Sequence, residues 1–175
     1  MSPAEEREPA AGLTHVGPAG RLRMVDVGDR PVSDREATAE GLVRLSQKAK
    51  DAISEDAVSK GNVLEVCRLA GIMAAKRTPE LIPLCHPISL THVQVDAELD
   101  PEEPAVRLRA TVRCRDATGV EMEALTAVTV AGLTVIDMIK SIDPWAVIEG
   151  VGMLSKSGGR SGAVQRPGRS ATGKP

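Results

Sequence analysis

Two stretches of the chain alternate strictly between apolar and polar residues. The apolar positions are Val93, Val95, Ala97 and Leu99 in the first, and Val106, Leu108, Ala110, Val112 and Cys114 in the second. A period of two places every apolar side chain on one face of a strand. Asp100, Pro101 and Pro104 lie between the two stretches and predict a hairpin, so these are expected to be antiparallel partners with one buried face. Residues 63–76 change period. Val63, Val66, Cys67, Ala70, Met73 and Ala74 recur every three or four residues, which predicts an amphipathic helix ending before Pro79. Residues 33–45 alternate Glu36, Thr38, Glu40, Leu42 and Arg44 with Ala37, Ala39, Gly41, Val43 and Leu45, which favours a strand. Ser46 is placed to cap a short helix running to about Ser54.

Residues 119–140, GVEMEALTAVTVAGLTVIDMIK, form an almost wholly apolar helix pattern, and residues 146–154 form a last short strand after Pro144. Leaving aside the short capped helix, the order is strand, helix, strand, strand, helix, strand. This is the α+β, ferredoxin-like split βαβ arrangement, with two helices on one side of an antiparallel sheet. The other sheet face is left open. Small residues such as Ala37, Ala39 and Thr111 would let a second subunit pack there, so an oligomer is favoured.

The 175 residues suit one domain with tails. Residues 1–12 are rich in Pro, Ala and Glu, and residues 163–175 close a Gly-, Ser- and Pro-rich basic end, so both read as disordered tails around a domain at 13–162. The chain is 42% hydrophobic yet has one Trp and no Tyr or Phe. The core must therefore be aliphatic, and the base-stacking platforms of general nucleic-acid binders are missing. A net charge of -2 argues the same way. Cys67, Cys85 and Cys114 are odd in number and show no CxxC, which suits a reducing compartment and offers no zinc ligand set. No charge-free membrane span and no signal-peptide pattern are visible, and the expectation is a cytoplasmic protein.

The apolar helix carries charges that folding alone would not choose. Glu121 and Glu123 stand at one end, Asp137 and Lys140 at the other, and burying unpaired charge is costly. Asp137 and Lys140 are three apart on one face and close enough to pair, either as a structural ion pair or as part of a site. Glu123 and Asp137 are fourteen residues apart, about 21 Å along a helix. They cannot both touch one small reacting group in the same chain. Either one pair is structural, or the substrate is long, or the site joins two subunits.

Three further segments hold chemistry. In residues 81–87, LIPLCHP, prolines on both sides fix His86 rigidly, which suits a structural histidine and equally a substrate-positioning or acid–base group. Residues 156–162, KSGGRSG, form a basic glycine loop whose backbone amides, Lys156 and Arg160 could take a phosphate, or which is simply the exit to a tail. The nearby GVGMLSKS misses the P-loop pattern, because Ser155 stands where its second glycine belongs and Gly158 and Gly159 would break the helix that must follow. Lys60, Gly61 and Asn62 place a positive group at a helix start, where an anion is favoured.

Taken together, LTHV at Leu13, MVDV at Met24, AGIMAAKRTPELIPLCHP from Ala70, TGVEMEALTAVTVAGLTVIDMIK from Thr118 and LSKSGGRSG from Leu154 strongly resemble the molybdenum cofactor biosynthesis protein C family, the cyclic pyranopterin monophosphate synthases. The resemblance spans residues 13–162. It implies a ferredoxin-like fold assembled as a hexamer of three dimers, with active sites between subunits. The implied activity is that of a diphosphate-releasing lyase, which converts 3',8-cyclo-7,8-dihydroguanosine 5'-triphosphate to cyclic pyranopterin monophosphate in molybdopterin synthesis. By the same resemblance Asp137, Lys140 and Lys156 are catalytic, while Leu84, Cys85, His86, Met122 and Glu123 contact substrate, and Lys60, Glu121 and Arg35 match polar positions of the pocket. Arg160, from the glycine loop, joins the substrate-binding set.

An Asp and a Lys tuned by burial and mutual contact are apt for the proton transfers of ring rearrangement, and Lys156, Arg160 and Lys60 for the charge on departing diphosphate. No tightly bound cofactor and no protein metal site are expected, and magnesium would enter only with the triphosphate. The family motif reads DMCK where this chain has Ile139 in place of Cys. Residue 139 points away from the face of 137 and 140, so the substitution is expected to change packing rather than chemistry.

Overall fold

The computed structural model describes residues 20–159 and 162–167. The elements run β1 (Ser33–Arg44), α1 (Gln47–Ser54), α2 (Val63–Ala75), α3 (Thr78–Leu81), β2 (Leu90–Leu99), β3 (Ala105–Asp116), α4 (Glu121–Ile139), β4 (Val147–Ser157) and β5 (Val164–Gln165). All strand pairings are antiparallel, in the order β2-β3-β1-β4-β5. The first four strands reproduce the ferredoxin-like order expected from the sequence. α2 and α4 pack side by side on one face of the sheet.

Local chemistry sets the element ends. The Ser46 hydroxyl accepts from the Ala49 amide at 3.3 Å to start α1, and the Asn62 side chain accepts from the Glu65 amide at 3.0 Å to start α2. Between β2 and β3, Asp100 accepts from the amides of Glu102 and Glu103 at 2.9 and 3.0 Å and from Arg107 Nε at 2.5 Å. These amide bonds and then Arg107 hold its buried carboxyl below the usual carboxylate range. The hairpin turn is thus locked by one aspartate.

α4 is long and apolar enough to cross a membrane by length and composition. Ten of its nineteen residues are buried against the sheet and α2, which accounts for that composition. Two glycines permit its close approach. A Cβ at Gly41 of β1 would stand 2.8 Å from Val128 Cγ1, and one at Gly71 of α2 would stand 2.9 Å from the Ala127 carbonyl oxygen. Ile139 is fully buried in the same core.

The structure corrects three sequence expectations. Ala37 and Ala39 are 1% and 0% exposed within the core beneath α4, on the same face as Gly41, so they are not part of the open sheet face and do not argue for subunit packing there. Of the three small residues only Thr111 lies on that face, its hydroxyl 3.0 Å from that of Thr38. It stands among Arg107, Arg109 and Arg113 of β3, which lie opposite Glu98, Asp96 and His92 on β2 and opposite Leu42, Glu40 and Glu36 on β1. Around this neutral rung the face is largely charged, as in the Arg113–Glu36 pair at 2.5 Å. Secondly, β4 extends to Ser157, so Lys156 lies on the strand itself rather than in the glycine loop. Thirdly, Val164–Gln165, within the stretch read as a disordered tail, pairs with Ser155 and Lys156 of β4. The remainder of that stretch, from residue 168, lies outside the described residues, as do residues 1–19.

Candidate functional site

Two charged clusters flank α4, one at each end. At its start, a cleft of about 510 Å³ is lined by residues that include Arg30, Ser33, Arg35, Thr118, Gly119, Glu121, Lys156, Gly158 and Gly159. Lys156 reaches across from β4 and its Nζ donates to Glu121 Oε1 at 3.0 Å. Both side chains remain about one-third exposed, at 38% and 34%, so a ligand can compete for either. The Glu121 carboxylate folds back over Gly119, where any Cβ would overlap it.

Arg35 enters the same cleft from β1. Its Nε donates to the Asp116 carbonyl at 3.3 Å and its second guanidinium nitrogen to the Ala117 carbonyl at 3.2 Å. A Cβ at Gly159 would overlap the guanidinium, and one at Gly158 would overlap the Asp34 carbonyl oxygen. The glycines therefore give the β1 backbone and Arg35 room to pass. Arg35 thus ties β1 to the turn before α4, and its guanidinium lies against Gly159, just past the end of β4.

Glu123, in the first turn of α4, is 2% exposed. Desolvation, with a smaller contribution from the Glu121 charge, pushes its carboxyl up to about 7. Cys85 lies near enough that burial and then the Glu123 charge raise its thiol pKa. Cys114 is raised to about 11, chiefly by burial and next by Asp116. None of the three cysteines is placed to be a thiolate nucleophile at neutral pH. Leu84 and His86 are half-buried beside Cys85, and Met122 is 36% exposed on the first turn of α4.

At the other end of α4, Asp137 is gripped by two lysines. Lys140 Nζ donates to Oδ1 at 2.7 Å, and Lys60 Nζ donates to Oδ2 at 2.8 Å. Lys60 also donates to the Asp137 main-chain carbonyl at 2.7 Å, closing one of the orphan carbonyls at the helix end. Lys140 and then Lys60 hold the Asp137 carboxyl down at about 2. Of the two kinds of tuning expected from the sequence for this pair, mutual contact dominates and burial contributes least, because the Asp137 side chain is 57% exposed. Glu123 is the carboxyl that burial tunes.

Of the residues singled out in the sequence, Arg35, Glu121 and Lys156 meet in the cleft. Glu123 and Cys85 adjoin each other near the start of α4, and Lys60, Asp137 and Lys140 form the distant cluster. Arg160 lies outside the described residues. Arg30, Ser33 and Thr118 line the cleft without having been assigned a role. Thr118 and Gly119 fall inside a motif that pointed here, whereas Arg30, beside Pro31, and Ser33, the first residue of β1, carry no local signal of a site. Among the described residues no group of three or more His, Cys, Asp or Glu is placed to hold a metal ion.

The chain is similar to known proteins along most of its length. A relative from Nocardioides sp. named cyclic pyranopterin monophosphate synthase is 53% identical over 156 residues, 89% of this chain and 96% of that one. A relative of the same name from Chloroflexus aurantiacus is 52% identical over 155 residues, 89% and 95% of the two chains. A Drosophila melanogaster protein named molybdenum cofactor biosynthesis protein 1 is 55% identical over 148 residues, 85% of this chain but 26% of that longer one. Among solved structures, a de novo designed protein with ferredoxin fold matches at a TM-score of 0.34 and 14% identity, over 67% of this chain and 83% of that one. The strand order, rather than this distant likeness, defines the fold. Residues 24–159 match the MoaC family, and with relatives alike over nearly their full length the chain belongs to that family.

Proposed function

We propose that this protein is a cyclic pyranopterin monophosphate synthase, a lyase that converts 3',8-cyclo-7,8-dihydroguanosine 5'-triphosphate to cyclic pyranopterin monophosphate with release of diphosphate. The observation that carries this reading is the likeness to relatives of that name over 89% of the chain. The geometry supplies groups suited to each part of the reaction. In the cleft Lys156, beside Gly158 and Gly159, offers cationic and backbone partners for phosphate, while Arg35 holds the walls that present them. Glu123, with a pKa of about 7, can hold or release a proton at neutral pH, as ring rearrangement requires. Asp137, held at about 2, stays ionised and aligns the ammonium groups of Lys60 and Lys140.

The separation of the clusters supports a site shared between subunits. Among the described residues the two clusters stand at opposite ends of α4, about 21 Å from Glu123 to Asp137 along the helix. The reading is a homo-oligomer, a hexamer of three dimers, in which the Asp137 cluster of one chain completes the cleft of another. It is a cytoplasmic enzyme with no tightly bound cofactor, and any magnesium arrives on the triphosphate. Incubating the purified protein with the cyclised nucleotide tests the reaction, with released diphosphate and the pterin product measured together. Stoichiometric binding without diphosphate release would instead make the protein a ligand-binding module.

A further inference from the structure

The glycine-rich segment after β4 has a second consequence besides an open approach for anions. Gly158, Gly159 and Gly162 have φ of 94°, 67° and 63°, the left-handed region that glycine occupies without strain. The Gly162 amide donates to the Gly159 carbonyl at 3.2 Å, and the chain turns back on itself. Val164–Gln165 then pairs with Lys156 and Ser155, and the Arg166 amide donates to the Leu154 carbonyl at 2.8 Å. Without this return strand, residues 154–156 would be the bare edge of the sheet. With it, Lys156 has Ala37 of β1 on one side and Val164 on the other.

The return strand is itself anchored. Arg166 runs across Gly152, where a Cβ would stand 3.1 Å from the guanidinium, and comes 3.6 Å from Glu40 Oε1 on β1. Gly152 is paired with Glu40 in the sheet, so the missing side chain is what opens this lane. One residue past the last paired position, the chain is pinned to the central strand.

We infer that the segment Val164–Gln165, anchored by Arg166 on Glu40, is a positioning element for Lys156. It acts through the β4 backbone, holding the end of the strand so that the Lys156 ammonium stays over the cleft. The inference rests on the proposed role of Lys156, and the test separates the two. A chain ending at Gly162, an Arg166→Ala variant and an Arg166→Lys variant are compared with the full protein. The measurements are kcat and KM for diphosphate release, amide exchange across residues 154–157, and affinity for inorganic diphosphate with and without Lys156→Ala.

The expected result for Arg166→Ala is a rise in KM of about fivefold, the scale of one partly exposed ion pair. The truncated chain should show a larger rise, while Arg166→Lys keeps most of the affinity. Exchange at 154–157 should quicken while the thermal transition stays put, and truncation should add nothing to the loss caused by Lys156→Ala. Unchanged exchange in the truncated chain would overturn the inference, as would an effect that multiplies fully with Lys156→Ala. Faster exchange with unchanged kinetics overturns it too. If Lys156→Ala is then also without effect, the fault lies in the reading of the site.

Discussion

At the start of α4 the Glu123 carboxyl is shut away from water and its pKa rises to about 7, whereas at the end Asp137, open to solvent between two ammonium groups, is held at about 2. One helix thus presents two carboxyls that burial and charge have driven in opposite directions. At neutral pH the first is poised to exchange a proton and the second is a permanent anion. Asp137 is therefore a poor general base there, and its work is to hold Lys60 and Lys140 in place. The residue that looks most catalytic by its pairing is the one whose proton is least available.

The largest effect expected from breaking this contrast is at the Asp137 end. Asp137→Asn or Lys140→Ala should lower kcat by about 10²–10⁴-fold, the range of a lost acid–base group or its aligner. The thermal transition at pH 7 should hardly move, because the pair is exposed. Most activity surviving in either variant would return the pair to a helix-closing role. Next in size is a complementation experiment. Inactive Asp137→Asn and His86→Ala proteins, mixed so that subunits exchange, should regain a measurable part of the activity. Proven mixed oligomers as inert as their parents would show that each chain completes its own site.

At the other end the expected effect is on stability. Glu123 has its folded pKa raised from an unfolded value of about 4.3 to about 7. The native state therefore binds the extra proton, and stability is greatest below the unfolded pKa and falls as pH rises through 7. Denaturant titrations from pH 5 to 8 should show this decline in the wild type, by at most about 3 kcal/mol, and its loss in Glu123→Gln. A pH-independent wild type would mean that Glu123 is not desolvated in solution. The smallest effect belongs to Lys60→Ala. Asp137 has a depressed pKa, so its contribution to stability is present above the unfolded value and lost as pH falls towards 2. Removing one of its two lysines should make that acid loss shallower, which unfolding curves between pH 4 and 2 would reveal.

The sequence disclosed the fold better than it disclosed the site. The alternation in β2 and β3, the three- and four-residue spacing in α2 and the cap at Ser46 are local signals, and each marks an element that the structure contains. The far end of β4 was not legible, because Gly150 and Gly152 interrupt the alternation and the pairing with β1 shifts register twice. The Asp137–Lys140 pair could be read from an interval of three. Lys60 could not be assigned to it, since it comes from 77 residues away. The tuning of Glu123 also escaped, because a carboxylate in the first turn of a helix is ordinarily a solvated partner of the helix dipole. Only packing shows that this one is enclosed. Arg35 could be placed in the pocket from its resemblance, but its bonds to the Asp116 and Ala117 carbonyls depend on the two glycines that make way for it.

The central position of β1 has a consequence for how the chain is made. Ser33 pairs with Asp116, and Glu36 with Ser157, so the first strand synthesised waits for partners that emerge from the ribosome long afterwards. Contacts this distant in sequence slow folding, because a long loop must close before any pairing compensates it. Until β4 arrives, one edge of β1 lacks its neighbour and the cleft lacks Lys156. During synthesis this is a protein with an extended nascent phase in which its central strand has no partner. The lining of the cleft is complete only when β4 has been made.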